Sequence, residues 1–144
     1  MSSLSLHFLI DEHINHALAE DMNAGDISTD CVMPSACVGR AQLLCKQDGI
    51  IAGLDVFARV FEILDSDVRF EACVSDGDAV CKGQLLGVVR GDVRAILSGE
   101  RTALNYLQRM SGIATYANKV AKLLEGSATT LVDTRKTTPG MRVF

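Results

Sequence analysis

Apolar residues recur along this chain with two different periods, and the changes of period divide it into elements. Between residues 9 and 20, Ile10, Ile14, Ala17 and Leu18 return at helical spacing, which predicts a helix with one apolar face. From 37 to 46 the period is two. Cys37, Gly39, Ala41, Leu43 and Cys45 share one side while Arg40, Gln42 and Lys46 take the other, as in a half-exposed antiparallel strand. Gly49 and Gly53 punctuate a short apolar link, and Leu54, Phe57, Val60, Phe61 and Leu64 then make one stripe of a helix over 54–64. Phe70, Ala72 and Val74 alternate with Arg69, Glu71 and Cys73 in a further strand, and Asp76-Gly77 is a turn. Val80 to Val89 reads as short strands with a glycine bend, closed by Gly91-Asp92.

The longest helix is predicted over 93–109, with Val93, Ile96, Leu97, Leu104 and Leu107 on its buried face. Arg94, Ser98, Arg101, Asn105 and Gln108 fall on another face. Arg94 and Ser98 read as solvated surface. Arg101, Asn105 and Gln108 fit a solvated stripe or the lining of a polar cleft. Ser111-Gly112 is expected to break the helix, which resumes over 113–124 with Ile113, Ala117, Val120, Ala121 and Leu124 as its core stripe and Gly126 as its C-terminal cap. Thr129 to Val132 then reads as a short β-branched strand. A strand fed by a helix, with a polar loop at its C-terminal end, is the opening unit of a β/α barrel. The predicted fold class is therefore an α+β N-terminal sandwich domain (1–112) followed by the start of a β/α, TIM-like barrel (113–144).

Composition narrows the function. A net charge of −4 argues against nucleic acid as a generic partner, and no apolar run is long enough to span a bilayer. The N-terminus lacks the basic start and apolar core of a signal peptide, so a cytoplasmic location is expected. The five cysteines lack Cys-x-x-Cys spacing, which disfavours a zinc site or a disulfide framework; most are expected to be small buried hydrophobes. His7, His13 and His16 cluster at the first helix and read as surface or packing residues. The acids and hydroxyls of the polar loop Glu20 to Asp30 read as helix caps and side-chain turns rather than catalysts.

The chemistry concentrates in Asp133-Thr134-Arg135-Lys136-Thr137-Thr138-Pro139-Gly140. Arginine grips a carboxylate through two parallel hydrogen bonds, and lysine offers a compact charge for phosphate or carboxylate oxygens. Neighbouring side chains of an extended loop point to opposite sides, so Arg135 and Lys136 can address two groups. By composition the pair fits an anion site and a solvated loop equally. A dicarboxylate calls for more than one arginine, and Arg101 is the second candidate.

Three segments together resemble one enzyme family: Glu20-Asp21 through Gly25-Asp26-Ile27-Ser28-Thr29, Glu100-Arg101-Thr102-Ala103-Leu104-Asn105 through Ser111-Gly112-Ile113-Ala114-Thr115, and the Asp133 to Gly140 loop. The chain resembles nicotinate-nucleotide pyrophosphorylase (carboxylating), or quinolinate phosphoribosyltransferase. The resemblance implies conversion of quinolinate and phosphoribosyl pyrophosphate to nicotinate mononucleotide, pyrophosphate and carbon dioxide, with Mg²⁺, in NAD biosynthesis. It implies substrate binding by Thr134, Arg135 and Lys136 at the barrel mouth, and a homodimer in which Arg101 reaches the quinolinate of the neighbouring subunit. Family members continue well past Gly140, so the 144 residues are expected to be an N-terminal portion, inactive alone, with the Mg²⁺ ligands outside them. The alternatives are the molybdenum-transport-associated paralogue, which the intact Thr-Arg-Lys-Thr-Thr-Pro-Gly disfavours, and a non-catalytic dimerisation or interaction domain. Asp76 to Leu86 also echoes the hairpins of biotinyl or lipoyl carriers, but no Met-Lys-Met is present.

Overall fold

The computed structural model describes residues 3–22, 25–33 and 35–144. Met1 and Ser2, and Asn23 and Ala24 of the polar loop, lie outside the described residues. In chain order the elements are α1 (Ser3–Asp21), α2 (Ile27–Val32), β1 (Val38–Leu44), β2 (Gly49–Ile50), α3 (Leu54–Leu64), β3 (Arg69–Ala72), β4 (Ala79–Val80), β5 (Leu85–Asp92) and α4 (Val93–Leu123). A 3₁₀ turn at Met141–Val143 follows.

One antiparallel sheet has the order β1-β5-β3, and β2 pairs with β4 in a separate two-stranded ribbon. Ala41 pairs with Val89 across β1 and β5, and Phe70 pairs with Val89 from β3. Gly39, Ala41 and Leu43 turn inward along β1 while Val38, Arg40 and Gln42 stay exposed, so the predicted two-residue period holds. The helices α3 and α4 pack on each other and on the sheet, whereas among the described elements α1 touches only helices and the 3₁₀ turn. The core therefore runs through three layers: Leu86 and Val89 from the sheet, Phe57, Val60, Phe61, Ala103 and Leu107 from the middle, and Ile14 and Leu18 from α1. Apart from Ala103, each of these side chains contributes about 1.5–3 kcal/mol on burial.

Local signals fix the ends of these elements. Gly53 adopts φ 100°, where a side chain is strained, and a Cβ there would lie 2.6 Å from Met110 Sδ. Asp76, in the turn before β4, accepts from the backbone N–H groups of Gly53 (3.0 Å) and Leu54 (3.1 Å) and so caps α3. Gly99 lets α3 and α4 approach closely, since a Cβ there would meet Phe61 Cδ1 and Leu64 Cδ1 at 2.9 Å.

The structure corrects several expectations. Ser111-Gly112 does not interrupt α4, which is one helix of 31 residues. Helix propensity loses only about 1 kcal/mol at a glycine, and the hydroxyls of Thr115 and Ser111 tie this part of the helix to β2 and to the link that follows it. The stripe predicted beyond Gly112 is not core: Ile113 is 62% exposed and Ala117 and Ala121 are exposed, because no described element covers that face. Leu97 is also exposed, its neighbour Ile96 taking the inward position. Thr129 to Val132 forms no strand; it is exposed, with no described strand beside it to complete a hydrogen-bonded ladder. Only Cys45 is buried, while Cys31, Cys37, Cys73 and Cys81 are exposed at outward, strand-end and turn positions, all five as free thiols. Among the described residues no helix is long and apolar enough to cross a membrane.

Candidate functional site

The substrate-loop candidates stand on open surface with their backbone secured at both sides. Thr134, Arg135 and Lys136 are exposed, and Thr134 Oγ1 accepts from the Lys136 backbone N–H at 3.3 Å. Arg142 donates to the Arg135 carbonyl at 3.2 Å, and Arg109 on α4 donates to Thr138 Oγ1 at 2.6 Å. Beyond the loop, Met141 and Phe144 pack against the core. Among the described residues the Arg135 and Lys136 side chains have no hydrogen-bond or ion-pair partner, so their charges remain available to an anion.

Arg101 stands elsewhere. Its side chain is 74% exposed on α4, and its Nη1 group donates to Asp21 Oδ1 at 2.8 Å. Asp21 is the last residue of α1 and is only 20% exposed. Two further contacts follow along the same face. Ser98 donates to Asp26 Oδ2 at 2.8 Å, and Arg94 donates to Asp30 at 2.8 Å. Arg94 and Ser98 are thus not idle solvated positions; they fasten α2 to α4. Asp26 also caps α2, as the acids of that loop predicted, accepting from Thr29 N–H at 3.0 Å. The Thr29 hydroxyl, the Thr29 amide and Ser98, in that order, hold the Asp26 carboxyl below the usual range.

Arg101 and the Arg135-Lys136 loop are not brought into one pocket. An apolar groove of about 810 Å³ runs between β1 and α4, lined by residues including Leu43, Ile51, Leu104 and Gln108, and by none of Arg101, Thr134, Arg135 or Lys136. Asn105 and Gln108 hydrogen-bond to each other at 3.0 Å on the exposed helix surface. His13 is the histidine with a built environment, its Nδ1 lying 2.6 Å from Tyr106 Oη.

No spacing signal singled out Asp21, Arg109, Ser111 or Thr115 as anchors. The first lies in the weakest of the three segments, and Ser111 and Thr115 lie one helical turn apart, which is a signal only once α4 is known to be unbroken. Among the described residues no group of three or more His, Cys, Asp or Glu side chains could hold a metal ion. Asp133 is the one acid between 133 and 144.

Comparison with known proteins gives a consistent picture. The family model for the quinolinate phosphoribosyl transferase N-terminal domain matches residues 26–111. A probable nicotinate-nucleotide pyrophosphorylase (carboxylating) of Synechocystis sp. is 38% identical over 144 residues, covering 100% of this chain and 48% of its own length. A Bacillus subtilis protein of the same description is 36% identical, covering 96% of this chain and 47% of its own length. The solved structure of NadC from Streptococcus pyogenes superposes with a TM-score of 0.91 at 39% identity, over 95% of this chain and 49% of that one. The chain spans about half the length of the curated relatives it matches.

Proposed function

Given that this chain belongs to the quinolinate phosphoribosyltransferase family through its N-terminal domain, we propose that the whole protein transfers a phosphoribosyl group from phosphoribosyl pyrophosphate to quinolinate. Nicotinate mononucleotide, pyrophosphate and carbon dioxide are the products, and NAD biosynthesis is the context. A cytoplasmic location goes with this reading. A division into a sandwich domain (1–112) and the opening of a β/α barrel domain (113–144) goes with this reading, the boundary falling inside the unbroken α4.

The observation that carries the reading is the Asp133 to Gly140 loop, which presents two uncommitted cations while Arg109 on α4 holds the Thr138 hydroxyl and Arg142 holds the Arg135 carbonyl. Arg135 grips a quinolinate carboxylate in a bidentate pair, and Lys136 serves a second carboxylate or a phosphate. Charge builds on the ribose carbon during phosphoribosyl transfer, so catalysis rests on clamping the anions around a cationic centre. Thr134 holds the Lys136 backbone N–H in the turn that carries both cations.

A homodimer completes the site, with Arg101 of one subunit reaching the quinolinate bound to the other. What supports this is that Arg101 and the loop hang from separate anchors, Asp21 and Arg109, the latter about two turns further along α4. Mg²⁺ goes with this reading, its ligands being expected outside the 144 residues, and no step here runs through the metal.

Isothermal titration of the 144-residue chain with quinolinate tests the loop directly. Saturable binding that disappears in Arg135→Ala supports the reading. Binding that survives Arg135→Ala overturns the role of the loop. The 144 residues by themselves are expected to show no turnover, because the loop stands on open surface with no described wall facing it; normal turnover would contradict that.

A further inference from the structure

We propose that Asp21 is a positioning residue, holding the Arg101 guanidinium in the attitude that meets a substrate carboxylate. The proposal rests on the reading of Arg101 as a quinolinate-binding residue. Its physical basis is an asymmetry within one ion pair. Asp21 is tucked between α1 and α4 with 20% of its side chain exposed, whereas Arg101 is 74% exposed. The carboxylate is therefore the fixed partner and the arginine the one that is held.

Only the Nη1 corner of Arg101 is engaged, at 2.8 Å. Among the described residues its Nε–H and Nη2 groups have no partner, which leaves an edge of the guanidinium open for a second carboxylate. A guanidinium has five donors in a rigid plane, so one bond to Asp21 restricts where the rest can point. An untethered arginine on a helix surface would surrender its rotamer freedom on binding substrate; here that cost is met during folding.

Asp21 is itself placed by the contacts beside it. Ser98 holds Asp26 and Arg94 holds Asp30, so these two acids are fastened along α4 on the same face that carries Arg101.

The sign of one substitution separates this from simple electrostatics. Asp21 places a negative charge close to a site proposed for an anion. If its charge were all that mattered, Asp21→Asn would tighten quinolinate binding. If Asp21 positions Arg101, the same change weakens binding. The arginine side of this pair is exposed, which limits what the pair adds to stability, and thermal melting separates a binding effect from unfolding.

The experiment is steady-state kinetics of the whole protein with Asp21→Asn, Asp21→Glu and Arg101→Ala, with thermal melting as the folding control. The expected result is a roughly tenfold rise in the quinolinate KM for Asp21→Asn, with kcat and the phosphoribosyl pyrophosphate KM near wild type. Asp21→Glu should recover part of the loss, and Arg101→Ala should raise the same KM at least as much. An unchanged or lowered quinolinate KM in Asp21→Asn, with a raised one in Arg101→Ala, overturns the positioning role and leaves the role of Arg101 standing. No change in Arg101→Ala removes the underlying reading and the proposal with it.

Discussion

His13 and Tyr106 lie 93 residues apart in sequence, yet His13 Nδ1 sits 2.6 Å from the Tyr106 hydroxyl oxygen. Phe144 closes over both, its ring centroid 5.0 Å from that of His13 and 5.1 Å from that of Tyr106. Burial, and then the charge of Glu20, push the Tyr106 pKa up, so the phenol is neutral wherever the protein is folded near pH 7. This aromatic clasp pins the chain that follows the Arg135-Lys136 loop onto α1 and α4. Phe144→Ala should therefore speed amide hydrogen exchange across 133–143 while leaving the core strands protected. Exchange unchanged from wild type would show that Phe144 is not what holds the loop. Tyr106→Phe should cost about 1 kcal/mol in urea denaturation, the net worth of one lost hydrogen bond.

Ser111 should be a structural residue. Its hydroxyl accepts from Ala52 N–H at 3.0 Å and donates to Ala52 C=O at 3.2 Å, while Thr115 Oγ1 accepts from Ile50 N–H at 2.8 Å. These two hydroxyls satisfy backbone groups that the short β2 and β4 ribbon leaves unpaired. Ser111→Ala should cost about 1–3 kcal/mol in chemical denaturation, because half-buried backbone groups lose their partner. A cost near zero would mean that water replaces the hydroxyl.

Stability should fall at acid pH through Asp11. Arg59 grips this carboxylate with both Nε and Nη2 at 2.8 Å, joining α1 to α3. The Arg59 hydrogen bonds hold the Asp11 pKa below the ordinary carboxylate value. A depressed folded-state pKa gives stability that is present above the unfolded value and lost as pH falls through the folded one. The pair is partly exposed, so its share is about 1 kcal/mol after solvent screening. Urea titrations of wild type and Asp11→Asn should differ at pH 7 and converge only once the pH has fallen below the depressed folded-state pKa of Asp11. Parallel curves at all pH values would contradict the assignment.

The same substitution should have opposite signs at two places on α4. A Cβ at Gly99 would meet Phe61 and Leu64 at 2.9 Å, so Gly99→Ala should destabilise by about 1–3 kcal/mol through overpacking. Gly112 has nothing within 4 Å of such a Cβ and lies inside the helix, so Gly112→Ala should stabilise by about 0.5–1 kcal/mol. Melting temperatures that move the same way in both variants would refute the packing argument.

The periodic part of the fold was legible. The 54–64 stripe delivered α3 to the residue, and the alternation from 37 to 46 delivered the inward face of β1. The errors share a cause. Ser111-Gly112 reads as a break by propensity, but Ser111 is recruited by Ala52, fifty-nine positions away. Thr129 to Val132 has the composition of a strand, but a strand is a relationship with a neighbour that no single segment contains. At the candidate site, the loop cations were evident from type and order, whereas the anchors that hold them, Asp21 for Arg101 and Arg109 for the loop, are defined only once the helices are side by side.

Because α4 is unbroken, Arg101 and Arg109 are locked in phase on a single rod. One residue inserted or deleted between them would swing one anchor by about 100° and slide it by about 1.5 Å relative to the other. Any lineage of this protein can therefore change side chains between those two arginines, but the count of residues separating them is not free to drift.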